Sequence, residues 1–303
     1  MLLDASFARE LEALRKRLRV RARSGGGGDH TAKRRGSSAE FLEHRPYAPG
    51  DDLRRIDWLA FARTGEPVFK LFRAEEDVIV RLVVDASASL GESAGEPNKL
   101  DMAKRIAAAI GYMALADSER AQVMAASEGL SFVSEPSRGR NALPKLLRDL
   151  DRVDGSAAGG TSRTPKDVKS GTDLSRAIEQ VIVRSSRPGM LVIISDFMDA
   201  GPFDAAITHA AAAGHDIALV QVLSREEVEP QWDGDYALVD VESNATVEVT
   251  MDAGALEAYL ARLNQLVLGL RALAKKVQGT YVRIVTDEPL LPVVRRFVGR
   301  VVD

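Results

Sequence analysis

From residue 78 onward the chain alternates between short β-branched runs and longer helical patterns, and this alternation limits the fold more than any other feature. Val78–Val84 (VIVRLVV) reads as a strand, because an unbroken Val/Ile/Leu run suits a sheet covered on both faces. Lys99–Ala116 reads as an alanine-rich helix, Ala121–Ala126 and Leu130–Val133 as strands joined at Glu128-Gly129, and Asn141–Leu150 and Thr172–Val183 as helices. Met190–Ile194, Ile217–Leu223 and Tyr281–Val285 continue the strands, with helices over Phe203–Ala213, Leu256–Val277 and Leu291–Val302, while residues 236–251 alternate as a hairpin. Strands separated by helices predict an α/β fold: one doubly wound, mostly parallel, Rossmann-like sheet over residues 75–303. Residues 154–170, rich in Gly, Ser, Thr, Lys and Pro, read as a mobile loop within it.

Two smaller regions precede this domain. In residues 1–28, Phe7, Leu11, Leu14 and Leu18 repeat at helical spacing and Arg15, Lys16, Arg17, Arg19, Arg21 and Arg23 crowd the far end. This predicts a basic amphipathic helix, ended by the Gly25–Gly28 linker. Residues 29–74 have few helical signatures. Glu40–His44 and Val68–Phe72 look extended, and Pro46, Pro49 and Gly50 mark a turn. Acids and arginines then alternate through Asp51–Trp58, which makes Arg45, Asp52, Arg54 and Asp57 candidates for an internal ion-pair network, since charges that are even partly buried need partners.

The net charge of -3 hides a division. Residues 1–73 carry 16 Lys+Arg against 10 Asp+Glu, and residues 74–303 carry 25 against 34. The basic N-terminal segment could meet anionic lipid or nucleic acid, although cations also favour a helix C-terminus for electrostatic reasons alone. No aromatic interleaving accompanies the basic residues, so nucleic acid is not expected as a partner. No apolar run approaches the ~20 residues of a membrane span; the expectation is a cytoplasmic protein, with peripheral membrane contact left open.

Several chemistries lack their parts. With no cysteine in the chain, thiolate metal sites, disulfides and a cysteine nucleophile are excluded. There is no GxxxxGK[ST] loop and no GxSxG elbow. His30, His44, His209 and His215 show no ligand spacing.

In open α/β sheets ligands bind beyond the carboxyl ends of the strands. Strand Val78–Val84 runs into Asp85-Ala86-Ser87-Ala88-Ser89, strand Met190–Ile194 into Ser195-Asp196, and Gly171-Thr172-Asp173 opens a helix between them. Three other aspartates have Ser two residues later, but only Asp85 has a second Ser and follows a β-branched strand. Asp85, Ser87, Ser89, Thr172 and Asp196 form a hard, all-oxygen set with two negative charges. Such a set suits Mg²⁺, with Mn²⁺ or Ca²⁺ as alternatives. Helix capping is the competing explanation for each residue alone, Thr172 above all.

These five residues resemble the metal-ion-dependent adhesion site of von Willebrand factor A domains. The segment Arg45-Pro-Tyr-Ala-Pro-Gly-Asp-Asp-Leu-Arg-Arg-Ile-Asp-Trp58, with Ala62-Arg63 and Lys70 after it, is similar to the signature of bacterial domain-of-unknown-function family 58 (DUF58). The resemblance covers about residues 30–303. It implies a von Willebrand factor A-like fold, a divalent-ion site and a partner of the MoxR-type AAA+ ATPase class, without implying a reaction. In such sites the first Asp and the two Ser hold the ion and the Thr and second Asp complete the shell, roles that fall on Asp85, Ser87, Ser89, Thr172 and Asp196. One coordination position then stays open for an acidic side chain from another protein. Phe197 departs from the pattern, because many A domains have Gly after the second Asp.

A different class of function uses the same residues. Asp85 could be the nucleophile of a Mg²⁺-dependent phosphohydrolase with Asp196 on the metal. The general acid such enzymes need two residues after the nucleophile is here Ser87, which cannot serve.

Overall fold

Glu40–Pro46 and Val68–Arg73 pair antiparallel as β1 and β2, in a register that sets His44 opposite Lys70 and Arg45 opposite Phe69. They belong to a computed structural model that describes Arg9 and residues 40–48, 53, 56–73, 78–91, 98–154, 173–185, 187–198, 202–232, 234–239 and 246–301. The described residues divide into two compact units, residues 40–73 and residues 78–301, with Arg9 counted in the latter. The helical pattern of residues 4–23, apart from Arg9, and the loop of residues 154–170, apart from Asp154, lie outside the described residues, as do Asp52 and Arg54 of the expected ion-pair network. Arg9 is helical.

The first unit corrects one expectation. Its stretch of few helical signatures contains a helix, α1 (Trp58–Thr64). Asp57 makes it possible: its Oδ1 accepts from the backbone N–H groups of Leu59 and Ala60, both at 3.2 Å, capping donors that the first turn leaves unpaired. Asp57 Oδ2 also lies 3.0 Å from His44 Nε2. The Arg45 guanidinium sits 5.7 Å above the Phe69 ring, a cation–π arrangement. Trp58 and Leu59 are exposed, so no amphipathic pattern marks α1 in the sequence.

The second unit is the predicted α/β domain. In chain order it contains β3 (Ile79–Asp85), the short α2 (Ala88–Gly91), α3 (Lys99–Ala116), β4 (Arg120–Ala126), β5 (Leu130–Val133), β6 (Ser137–Arg138) and α4 (Leu143–Asp151). After these come α5 (Leu174–Arg184), β7 (Met190–Ser195), α6 (Asp204–Ala212), β8 (Asp216–Leu223) and the one-turn α7 (Arg225–Val228). A separate antiparallel hairpin, β9 (Gly234–Val239) and β10 (Thr246–Met251), precedes the long α8 (Ala253–Lys276), β11 (Thr280–Val285) and α9 (Leu290–Val301).

The strands form one seven-stranded sheet in the order β11-β8-β7-β3-β4-β5, with β6 also on β4. Every pair from β11 to β4 is parallel, and β5 and β6 run antiparallel to β4. The chain leaves β3 for β4 on one side and later returns to lay β7 on the other. The strand order therefore reverses between β3 and β7, which is where open sheets of this kind open a crevice. The register sets Val84 beside Ile194, so Asp85 and Ser195 end their strands side by side.

Side-chain alternation along β3 divides the core into two layers. Val80, Leu82 and Val84 pack with α3, α4 and α9, while Val83 packs with α5, α6 and α8. Helix α3 is buried along nearly its whole length, and its alanines let it lie close to the sheet. At Gly111 a Cβ would come within 2.8 Å of the Leu146 side chain and 2.9 Å of the Leu82 side chain, so a larger residue here would make those leucines shift. Among the described residues no helix is long and apolar enough to cross a membrane.

Candidate functional site

Asp85 closes β3 at the sheet's carboxyl edge and is 2% exposed. Its Oδ1 accepts from Ser87 N–H at 3.0 Å, which folds the following loop back on the strand end. Its Oδ2 accepts from the Ser195 hydroxyl at 2.6 Å, and Ser195 Oγ in turn accepts from Phe197 N–H at 2.9 Å. The Ser87 and Ser89 hydroxyl oxygens are 3.0 Å apart. One carboxylate and two hydroxyls from a single loop thus meet at the switch point, as their spacing predicts.

Asp196 follows β7 next to this cluster. Its Oδ1 accepts from Met198 N–H at 3.1 Å, and its backbone carbonyl from Gln221 Nε2 at 3.0 Å. Gln221 is held in turn by the Tyr281 hydroxyl, 2.6 Å from its Oε1. Burial pushes the Asp85 carboxyl up to about 6, and the negative charge of Asp196 adds to the rise against hydrogen bonds from Ser195 and Ser87. Phe197 completes the turn in the left-handed region, with φ 59°. Its ring is 2% exposed and packs 5.4 Å from Phe203. Where a glycine would adopt this backbone without cost, the bulky side chain does so under strain.

Three further residues belong to the site. Lys99, the first residue of α3, has a side chain only 4% exposed. Its ammonium donates to Asp196 Oδ2 at 2.7 Å and to Glu227 Oε1 at 2.7 Å. Burial opposes the charge on Lys99, but the two carboxylates outweigh it and hold the group protonated beyond its ordinary range. Glu227 sits at the third position of α7, where its Oε2 accepts from Ser224 N–H at 2.8 Å in a capping box. The Tyr259 hydroxyl of α8 reaches the Glu227 carbonyl at 3.1 Å, and burial together with Glu227 pushes its phenol up to about 12. Ser195 was visible as a strand end, but its role on Asp85 was not. Lys99 carried one signal: it opens a helix whose later turns, from Ile106 to Ala116, hold no charged residue.

Thr172 lies outside the described residues. The next residue, Asp173, caps α5 by accepting from Arg176 N–H at 2.8 Å, and its own N–H donates to Ser127 O at 2.9 Å. The N-cap expected at Thr172 is therefore Asp173, and the helix starts at Leu174.

The donor set can be weighed against a divalent ion. Asp85, Ser87 and Ser89 offer hard oxygens from one short loop, the type Mg²⁺ takes while keeping several waters. Among the described residues no group of three or more His, Cys, Asp or Glu side chains could hold a metal, so any site here depends on the two hydroxyls. Asp196 fits less simply, because Lys99 already holds one of its oxygens.

Fold and site together define a doubly wound α/β domain with an aspartate–serine cluster at its switch point. Residues 43–265 match the family described as "Protein of unknown function DUF58", and the chain belongs to that family. An uncharacterized protein of Mycobacterium bovis is 34% identical over 227 residues, covering 74% of this chain and 68% of the relative. An uncharacterized protein of Mycobacterium tuberculosis matches to the same extent. Among solved structures, the conserved hypothetical protein BatB from Bacteroides thetaiotaomicron superposes with a TM-score of 0.44 at 14% identity, over 74% of this chain and 98% of that one. A von Willebrand factor type A protein from Catenulispora acidiphila gives 0.42 at 15% identity, over 77% and 44%.

Proposed function

We propose that this protein is a metal-dependent protein-interaction module whose docking point is the cluster of Asp85, Ser87 and Ser89. The observation that carries the reading is the convergence of these three oxygens at the strand-order reversal. Asp85 supplies the charge, Ser87 and Ser89 supply neutral donors, and Ser195 orients the carboxylate from the neighbouring strand. Thr172 and Asp196 complete the set as the family resemblance implies. A divalent ion, Mg²⁺ in the first instance, would supply an electrophilic position for a carboxylate presented by another protein. The same resemblance makes a MoxR-type AAA+ ATPase the partner class, acting with this chain in assembly or maturation of a protein complex. A MoxR-type ATPase from the same organism should be retained by the immobilised protein in Mg²⁺ and released by EDTA, and Asp85→Ala should abolish retention. Capture that survives both EDTA and Asp85→Ala would end the adhesion-site role.

A further inference from the structure

Large apolar side chains are exposed at eight positions among the described residues, and four of these, Leu53, Trp58, Leu59 and Phe61, fall within nine residues of the first unit. Single exposed hydrophobics are ordinary, whereas a cluster of them marks a contact surface. Helix α1 is built to present this one. Asp57 caps its first turn, and Gly65, left-handed at φ 74°, closes its last turn by donating to Phe61 O at 2.8 Å. Between these stops Ala60 is buried, so helical spacing turns Trp58, Leu59 and Phe61 to the other side. Trp58 is 59% and Leu59 73% exposed. The Trp58 and Phe61 rings meet edge to face at 6.0 Å.

Size and charge decide what chemistry covers this face. Three side chains on a seven-residue helix offer on the order of 300 Å² of apolar surface. That is well short of the ~800 Å² per partner that a stable protein interface uses. A bilayer asks for less: a few inserted side chains and a basic segment, each weak alone, hold together. Tryptophan suits the boundary between headgroups and acyl chains. The basic signal is in the same chain. Six of residues 15–23 are Lys or Arg, and residues 1–73 carry 16 Lys+Arg against 10 Asp+Glu. The one charged residue of α1, Arg63, is exposed and pairs with no carboxylate among the described residues; its Nε donates to Leu59 O at 3.3 Å.

We propose that α1 is a membrane-docking helix, which sets Trp58, Leu59 and Phe61 into the headgroup boundary of an anionic bilayer while the basic N-terminal segment is drawn to the same surface. Each contact raises the effective concentration of the other, because one chain carries both. The attachment is reversible and weakens with salt, since part of it is electrostatic.

The test uses the full chain carrying Trp232→Phe, which leaves Trp58 as the sole tryptophan. Trp58 emission and co-sedimentation are followed with vesicles of phosphatidylcholine alone and with vesicles containing about a quarter phosphatidylglycerol. With the anionic vesicles at ~0.1 M salt, the protein should sediment and Trp58 emission should move to shorter wavelength; phosphatidylcholine alone should produce neither. Leu59→Ser, at a position too exposed to threaten folding, should weaken partition at least about fivefold. Arg15→Gln, Arg17→Gln and Arg19→Gln together should weaken it by a similar factor. Failure to sediment with anionic vesicles overturns the proposal. Sedimentation with unmoved Trp58 emission overturns it too, because charge alone then holds the protein. A Trp58 shift that grows with protein concentration in the absence of lipid assigns the face to a second copy of this chain and likewise overturns it.

Discussion

Ser195 donates a 2.6 Å hydrogen bond to Asp85 across the boundary between the two parallel strands where the strand order reverses. Both residues are almost wholly removed from solvent. A neutral hydroxyl is thus the direct partner of a buried carboxylate, which fixes that carboxylate's orientation while leaving its charge uncompensated by it.

Removing the hydroxyl takes away one hydrogen bond to Asp85 Oδ2 and one from Phe197 N–H. Ser195→Ala should cost about 1–3 kcal/mol of folding stability, measured by urea denaturation. A loss below about 0.5 kcal/mol would show that the bond is not held in solution.

Asp85 gives a pH signature. Its carboxyl is raised from 3.8 to about 6 on folding, so the folded chain holds this proton more tightly than the unfolded one. The resulting stability is fully present below pH 3.8 and is lost as pH rises through about 6. In EDTA, Asp85→Asn should therefore gain on wild type between pH 4.5 and 7.5, by an amount on the order of 2 kcal/mol. A difference between the two proteins that stays constant across that range would contradict a buried, ionising Asp85.

His215 acts in the opposite direction at the other end of the sheet. Burial depresses its pKa below 6.5, and the charge of Arg81 lowers it further. The unfolded chain then takes up a proton that the folded chain resists, so this contribution to stability is present above pH 6.5 and lost as pH falls below it. His215→Gln should flatten the stability profile between pH 6.5 and 5, read from chemical denaturation midpoints. Parallel profiles for mutant and wild type would count against the buried neutral imidazole.

Phe197 combines packing with a strained backbone. Phe197→Ala should lose about 3–4 kcal/mol through the cavity it leaves while retaining the left-handed strain. Phe197→Gly loses the same packing but relieves about 1 kcal/mol of that strain. Glycine should therefore be no less stable than alanine here, the reverse of their usual order. A glycine variant clearly less stable than the alanine variant would argue against the φ of 59°.

Where hydrophobic period and chain direction act together, the sequence was easy to read. The run VIVRLVV became β3, and each strand and helix expected after it fell within a few residues of its place, whereas the short α2, β6 and α7 were not expected. Asp85, Ser87 and Ser89 were legible because one strand end delivers all three. Helix α1 was not, since its capping aspartate sits among other charges and its apolar side chains face outward. Lys99 and Glu227 were hidden for a different reason. Lysine and glutamate ordinarily mark solvated surface, and only the crossing of three strand ends buries this pair. Asp57, expected in an ion-pair network, also caps a helix and meets a histidine.

The spacing of these contacts along the chain has a consequence for when the site exists. Asp85 meets Ser195 across 110 residues, and Lys99 meets Asp196 across 97 and Glu227 across 128. Closing such long loops is slow relative to local structure and is rewarded only after the central strands have joined. A nascent or partly unfolded chain can present the Asp85 loop but not the arrangement around it. A partner that recognises the complete cluster therefore recognises maturity, and passes over copies of this protein whose sheet has not yet closed.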